Sequence, residues 1–392
     1  MSFFVEFHLI QNFAPSNLNR DDTGAPKDAL FGGHRRARVS SQCFKRCVRT
    51  WVRKSASVPL DLLGTRTLHL ERLLGDELNA LGLADVSKFN EIVTLALKKK
   101  AGKDKAEQQD GKEEEASLSY LLFISPAEIG AFRRVIATHA DAIKTLAAKK
   151  KLKATDIPDE LRHAVKDTLS RVRAVDIALF GRMLADLPEA NQYAACQVAH
   201  SISTHRVEPE FDYFTAMDDL GTPEESGAAM IDNVQFNSAT FYRYAALDAD
   251  KLVENLRGEG DRGLVLAATT ALTNALALAI PSGKQNTFAA HNVPSFIGVA
   301  IRNASPFNLA NAFEKPVWPD RYKALTAQSV EALAAHEKQL AGFYGDARDS
   351  WAFIDLTGAW PQDLGEGQTS LAELASWVER KVAAHLGAAV ES

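Results

Sequence analysis

Arg20-Asp21-Asp22-Thr23-Gly24-Ala25-Pro26-Lys27-Asp28-Ala29-Leu30-Phe31-Gly32-Gly33-His34-Arg35-Arg36-Ala37-Arg38-Val39-Ser40-Ser41-Gln42-Cys43-Phe44-Lys45-Arg46-Cys47-Val48-Arg49-Thr50-Trp51-Val52-Arg53-Lys54 decides the reading of this 392-residue chain. It carries ten Lys/Arg and three Asp, a local charge of +7 in a chain whose formal charge is -5. Basic residues concentrated in this way suit a polyanion. A helix starting after Ser40 or Ser41, either of which can cap it, puts Phe44, Val48, Trp51 and Val52 on an apolar stripe. Gln42, Lys45, Arg46, Arg49 and Arg53 then lie roughly opposite. Gly32-Gly33 permits close approach of backbone to a ligand, and the helix N-terminus adds N–H groups that favour phosphate. The alternative is a solvated basic face, which charge alone does not exclude.

Outward from this stretch, Ser2 to Ile10 alternates as a strand, with Phe3, Val5, Phe7 and Leu9 on one face and Glu6 and His8 on the solvent side. No N-terminal signal segment is evident, so a cytoplasmic protein is expected. The three cysteines argue against a disulfide framework. Residues 61–170 read mostly as helices, interrupted by Lys98 to Ser117, a Lys/Glu/Gln-rich run expected to be a disordered surface loop. Arg171 to Arg182 reads as a strand returning to the first lobe. Residues 200–240 read as a long hairpin-like excursion. Gly263 to Ile280 is a buried core helix rather than a membrane span, Phe296 to Ile301 a strand, and Ala324 to Phe343 and Leu371 to Leu386 are helices. The pattern indicates an α+β protein with a helical insertion.

Several ordered segments resemble one family. They are Asn19-Arg20-Asp21-Asp22 with Gly24 and Pro26-Lys27-Asp28, Arg38-Val39-Ser40-Ser41-Gln42, Asp176 to Met183, Ala199 to His205, Asp212 to Asp219, Phe236 to Tyr244, Gly283 to Ala290 and Asn311 to Glu314. Together they resemble the backbone subunits of type I-E CRISPR surveillance (Cascade) complexes, members of the RAMP superfamily, and the likeness spans residues 1 to roughly 320. The resemblance implies a ferredoxin-like, RRM-like palm from residues 1–54 and 171–320, with a thumb at 200–240. It further implies helical fingers at 61–170 and a C-terminal helical segment at 321–392 packing on the palm. By this likeness the chain is a non-catalytic RNA-binding subunit. Several head-to-tail copies would coat the spacer of a CRISPR RNA (crRNA) and present it to target DNA, beside endonuclease, large, small and end-capping subunits.

The family's motifs place guide-RNA contacts at Arg20, Lys27, Ser40, Gln42, Lys45, Arg46 and Arg49, donors suited to phosphate and sugar rather than base edges. Met183, Phe214, Thr215 and Met217 match the positions that wedge and hold displaced bases, although such residues are ordinarily core. No cofactor or metal is expected, since the Cys and His spacings match no zinc motif and Gly283-Lys284-Gln285 lacks the rest of a P-loop. The enzymatic rivals are Asp22, because related RNA-targeting backbone subunits cut with a loop aspartate and a metal, and a histidine among His8, His200 and His205 acting as acid or base. A cytoplasmic RNA-binding protein outside CRISPR systems is the remaining alternative.

Overall fold

The computed structural model describes residues 3–98, 121–169, 174–184, 186–216, 230–256, 262–346 and 348–387, with backbone only at 215–216 and 230–232. It separates into two compact units, Met1–Ser57 with Cys196–Asp250 and Arg262–Ser392, and Val58–Ala195 with Lys251–Asp261.

The first unit is built on one large mixed sheet. Its strands are β1 (Phe4–Ser16), β2 (Asp28–Phe31), β3 (His34–Val39), then, after β4 (Thr65–Thr67) and β5 (Leu122–Ile124) of the second unit, β6 (Cys196–Val198), β7 (Ser201–Ser203), β8 (Glu210–Ala216), β9 (Met230–Asp248), β10 (Phe296–Arg302), β11 (Ser350–Asp355) and β12 (Glu366–Gly367). Their order is β12-β11-β10-β1-β9-β7-β3-β2, with β6 and β8 also paired to β9. Among the described residues only β11 and β12 run parallel; the other pairs are antiparallel.

β1 forms because its apolar residues alternate, but the expected solvent side does not exist: Glu6 and His8 are fully buried. Leu309–Phe313 and the helix Leu325–Tyr344 cover that face, where Ile10, Phe296, Phe313, Leu333, Trp351 and Trp360 make a core. Glu6, Tyr242, Arg302 and Glu337 find partners within the chain, as low dielectric requires, while His8 Nε2 is left without a hydrogen bond. Arg302 donates to Glu6 at 2.9 Å, to both oxygens of Glu337 at 2.8 Å and to Asp349 at 3.4 Å. His8 Nδ1 meets the Tyr242 hydroxyl at 2.9 Å. His8 is therefore a packed structural residue. On the opposite face Leu9, Phe44 and Leu276 line one small void; the helix Ser41–Ser55 packs on Arg262–Leu278, the expected buried core helix, and that in turn on Leu371–His385.

The C-terminal helices lie where the periodicity predicts, but β11 between them extends the sheet and was not foreseen. The expected strand at 171–182 is instead the helix Val175–Phe180 in its described part. All six residues of that helix are buried, so neither a period of 2 nor of 3.6 can show.

The second unit packs the helices Gly75–Ala80, Lys88–Leu97, Pro126–Thr138, Ala140–Ala147 and Asp159–Thr168 around Leu78, Phe89, Ile92, Phe132, Ile143 and Leu161, beside the β4–β5 pair. Ser125 and Glu128 form a capping box, with Pro126 opening the helix. Arg182, wholly buried, donates to Glu128 at 2.7 Å and to the carbonyls of Phe123, Leu169 and Ala190. The run Lys98 to Ser117, apart from Lys98, lies outside the described residues.

Candidate nucleic-acid interface

The basic helix runs Ser41–Ser55 with Ser40 as its N-cap in extended conformation, the Ser40 hydroxyl accepting from the Cys43 N–H at 3.3 Å. Phe44, Val48 and Val52 are buried, each contributing about 1.5–3 kcal/mol by leaving water. Gln42 and Arg46 are exposed; Lys45 and Arg49 are half-buried and engage other groups of the chain. Its first turn carries no acidic side chain and its last turn carries Arg53 and Lys54. That leaves the N-terminal N–H groups without a competing carboxylate of the same helix.

The loop before it is tied to the helix start. Asn19 accepts the Ser40 N–H at 2.9 Å through its side chain and the Lys27 N–H at 2.8 Å through its carbonyl. Asn17 donates to the carbonyls of Gly24 and Gln235, both at 2.9 Å. The Asp21 carboxylate accepts from the Thr23 hydroxyl at 2.7 Å and from the Thr23 and Ala25 N–H groups. These bonds, the Thr23 hydroxyl foremost, hold Asp21 below the usual carboxylate range. Asp28 pairs with Arg35. Two of the three loop carboxylates are thus committed to the loop and hairpin, while Asp22 is exposed.

Gly32 and Gly33, expected to admit a ligand, close the two-residue turn between β2 and β3 with φ of +57° and +77°, the geometry that requires glycine there. A Cβ at Gly32 would lie 1.8 Å from the Glu314 carbonyl oxygen. Buried Arg36 donates to the carbonyls of Ser203, Phe313 and Glu314 at 3.0, 2.7 and 3.2 Å, fixing the hairpin. The hairpin was not legible because β3 is written His34-Arg35-Arg36-Ala37-Arg38-Val39, a run whose charges hide its alternation.

These elements bring Arg20, Asp21, Cys43, Arg46, Cys47, Trp51 and Lys54 around a cleft of about 690 Å³, closed on one side by Ile280, Ser282 and Gly283. Trp51, Lys54 and Ile280 are members that motif reasoning missed, whereas Gly283 belongs to a motif segment read as a turn that contacts RNA or a neighbouring copy. A Cβ at Gly283 would stand 2.2 Å from the Leu18 carbonyl oxygen, so this turn packs on the loop of its own chain. Arg38, also missed, contacts His200 Nδ1 at 3.1 Å. Partial burial and then the charges of Arg38 and Lys27 push the His200 pKa down. His205, whose ring accepts the Thr240 N–H at 3.2 Å, is likewise pushed down, chiefly by burial. Ser40 spends its hydroxyl on the cap.

The remaining named residues sit elsewhere. Phe214 is on β8, which pairs with β9 from Glu210↔Phe236 to Ala216↔Met230, a long hairpin as expected. Thr215 is placed by backbone only and Met217 lies outside the described residues. Met183 belongs to the second unit and is 80% exposed. Phe211 and Tyr213, at 65% and 64% exposed against 37% for Phe214, are the aromatic side chains the hairpin offers most freely. Among the described residues no three His, Cys, Asp or Glu side chains converge as a metal site, and no helix is long and apolar enough to cross a membrane.

The first unit is thus a mixed α+β fold that carries a capped cationic helix, a hydrogen-bonded loop before it and a hairpin with exposed aromatic side chains. The chain belongs to the CT1975-like family of CRISPR-associated proteins, whose family description matches residues 5–377. It is similar to a chain of a "CRISPR RNA-guided surveillance complex, pre-nicking", with 32% identity, a TM-score of 0.79 and coverage of 97% of this chain and 99% of the other. It is also similar to a chain of a second CRISPR RNA-guided surveillance complex, with 27% identity, a TM-score of 0.70 and the same coverage. No curated protein matches the chain.

Proposed function

We propose that this chain is a non-catalytic backbone subunit of the CasC type in a type I-E Cascade complex, working in the cytoplasm. Several head-to-tail copies bind crRNA along its spacer and leave the base edges free to pair with target DNA, in company with the endonuclease, large, small and end-capping subunits. The observation that carries this reading is the juxtaposition of Arg20, Lys27 and the Arg46 face with an acid-free helix N-terminus, in a chain that aligns end to end with members of RNA-guided surveillance complexes. Such a surface grips phosphate regardless of sequence. The sheet unit serves as the RRM-like palm, the second unit as fingers and the β8–β9 hairpin as the thumb, whose Phe214, Thr215 and Met217 act with Met183 against displaced bases. Asp21 and Asp28 orient the loop, and Asp22 takes no part in cleavage.

The test is purification from cells that also express a repeat–spacer transcript, followed by sizing of the bound RNA. Intact RNA held by a multimer, lost in Lys45→Ala/Arg49→Ala and retained in Asp22→Ala, is the expected result. Regular cutting of RNA or of an added complementary strand with Mg²⁺, abolished by Asp22→Ala, would overturn it.

A further inference from the structure

Cys43 and Cys47 stand one turn apart on the basic helix and both line its cleft, half-buried, with Arg20, Arg46 and Lys54 around the same space. We propose that this pair is a site of reversible S-thiolation, where a small anionic disulfide forms a mixed disulfide with the Cys43 sulfur and closes the cleft to a phosphate strand. The closure rests on the nucleic-acid reading above; the thiol chemistry does not.

The division of labour follows from the surroundings. The neighbouring Cys47 thiol favours the Cys43 thiolate first; burial opposes it, and the charges of Arg46, Lys27 and Arg243 favour it, so the net shift is downward. Cys47, beside that thiolate and partly buried, is pushed far up and keeps its proton. The third cysteine, Cys196, is fully buried and raised to about 12, which makes it inert. In the reaction the Cys43 thiolate attacks one sulfur of the disulfide, the S–S bond breaks, and the other sulfur leaves as a thiolate. The disulfide under attack is the only oxidant required. The carboxylates of an anionic reagent meet the cleft's Arg and Lys groups. Cys47 cannot resolve the adduct while the helix is intact. Helical i,i+4 Cβ atoms lie about 5–6 Å apart, whereas a disulfide needs about 3.5–4.5 Å. The adduct therefore persists until an external thiol reverses it.

The test treats the full chain with glutathione disulfide across pH 6–9 and locates adducts by mass spectrometry, with Cys43→Ser and Cys47→Ala in parallel. Cys43 should be modified first, and faster at pH 7 than an unperturbed thiol. Cys47→Ala should move the midpoint of its pH–rate profile upward, and dithiothreitol should reverse the adduct. The adduct should weaken binding of a single-stranded RNA and dithiothreitol should restore it, whereas the RNA affinity of Cys43→Ser, whatever its starting value, should not change on the same treatment. A Cys43 rate equal to that of an unperturbed thiol, an unchanged profile in Cys47→Ala, or an internal Cys43–Cys47 disulfide would each overturn the proposal. Failure of the unmodified chain to bind RNA, with the thiol kinetics as expected, would instead overturn the nucleic-acid reading.

Discussion

Gly32→Ala and Gly33→Ala differ by one position in the same turn, and the structure predicts that they differ sharply in cost. Both require an L-residue at positive φ, about 1–2 kcal/mol each. At Gly33 the added methyl meets nothing within 4 Å, so the backbone term is the whole effect. At Gly32 the Cβ would stand 1.8 Å from the Glu314 carbonyl oxygen, and real Cβ contacts start near 3.0 Å; hairpin or segment must move by more than an ångström. That displacement breaks the bonds from Arg36 to the Phe313 and Glu314 carbonyls. Hydrogen bonds from a buried charged donor are worth about 1.5–3 kcal/mol each. Gly32→Ala should therefore cost about 4–8 kcal/mol, at least about 3 kcal/mol more than Gly33→Ala. Urea unfolding followed by tryptophan fluorescence gives both numbers, provided m is unchanged. Equal midpoints for the two variants would refute the argument that the turn is locked against Glu314.

In salt titrations with single-stranded RNA, Lys27→Ala/Arg46→Ala should flatten the slope of log K against log[salt] by about 1.4, near 0.7 per lost phosphate contact. The loss should be equal for unrelated sequences; a loss that tracks base identity would contradict backbone recognition. Ser40→Ala should destabilise by about 1 kcal/mol through loss of the N-cap while Ser41→Ala is near neutral, and thermal melts showing the reverse order would reassign the cap. For pH dependence, burial alone would raise the Glu6 carboxyl, but His8, Arg302 and Tyr244 outweigh it and hold it below its usual value. A depressed carboxyl stabilises the fold above its unfolded pKa, about 4.3, and that contribution is lost as pH falls through the folded value. Urea midpoints should thus decline from pH 5 downward and less steeply in Glu6→Gln, after allowing for that variant's lower starting stability. Parallel declines in the two proteins would remove Glu6 from the account.

The basic helix was legible because its apolar stripe and its cations separate cleanly at helical spacing, and Ser40 marks its start. The first strand was legible as a strand but not in its surroundings. Alternation of Phe and Val with Glu6 and His8 implies water on one side, and only the later segments 309–313 and 325–344 reveal that the second face is covered. Val175–Phe180 failed for the opposite reason, since burial on every side erases periodicity. β11 contains Trp351 and Phe353 in alternation with Ala352 and Ile354, a buried strand whose signal lay between two longer helices and was passed over. In the cleft, Gly283 stood in a motif segment, but Ile280 is a long-range member that no local pattern gives.

The buried polar groups explain why the loop at Arg20 and the start of the basic helix hold a fixed place. Glu6, anchored by Arg302, accepts the Phe307 N–H, and the Tyr242 hydroxyl accepts the Leu309 N–H at 3.1 Å. Two side chains of the central strands thereby position the segment that ends in Phe313 and Glu314. Those two carbonyls receive Arg36 and face Gly32, so the β2–β3 hairpin is set by the sheet interior rather than by its own sequence. Arg38 on the same strand donates from its backbone N–H to the Lys27 carbonyl at 2.9 Å, and Lys27 donates to the Asn19 carbonyl while the Asn19 side chain accepts the Ser40 N–H. The loop that carries Arg20 and the cap that starts the basic helix are consequently joined, bond by bond, to a network around Arg302. Breaking one buried partner of such a network costs about 3–5 kcal/mol, and the displacement it causes would reach Arg20 and Lys27 without touching either.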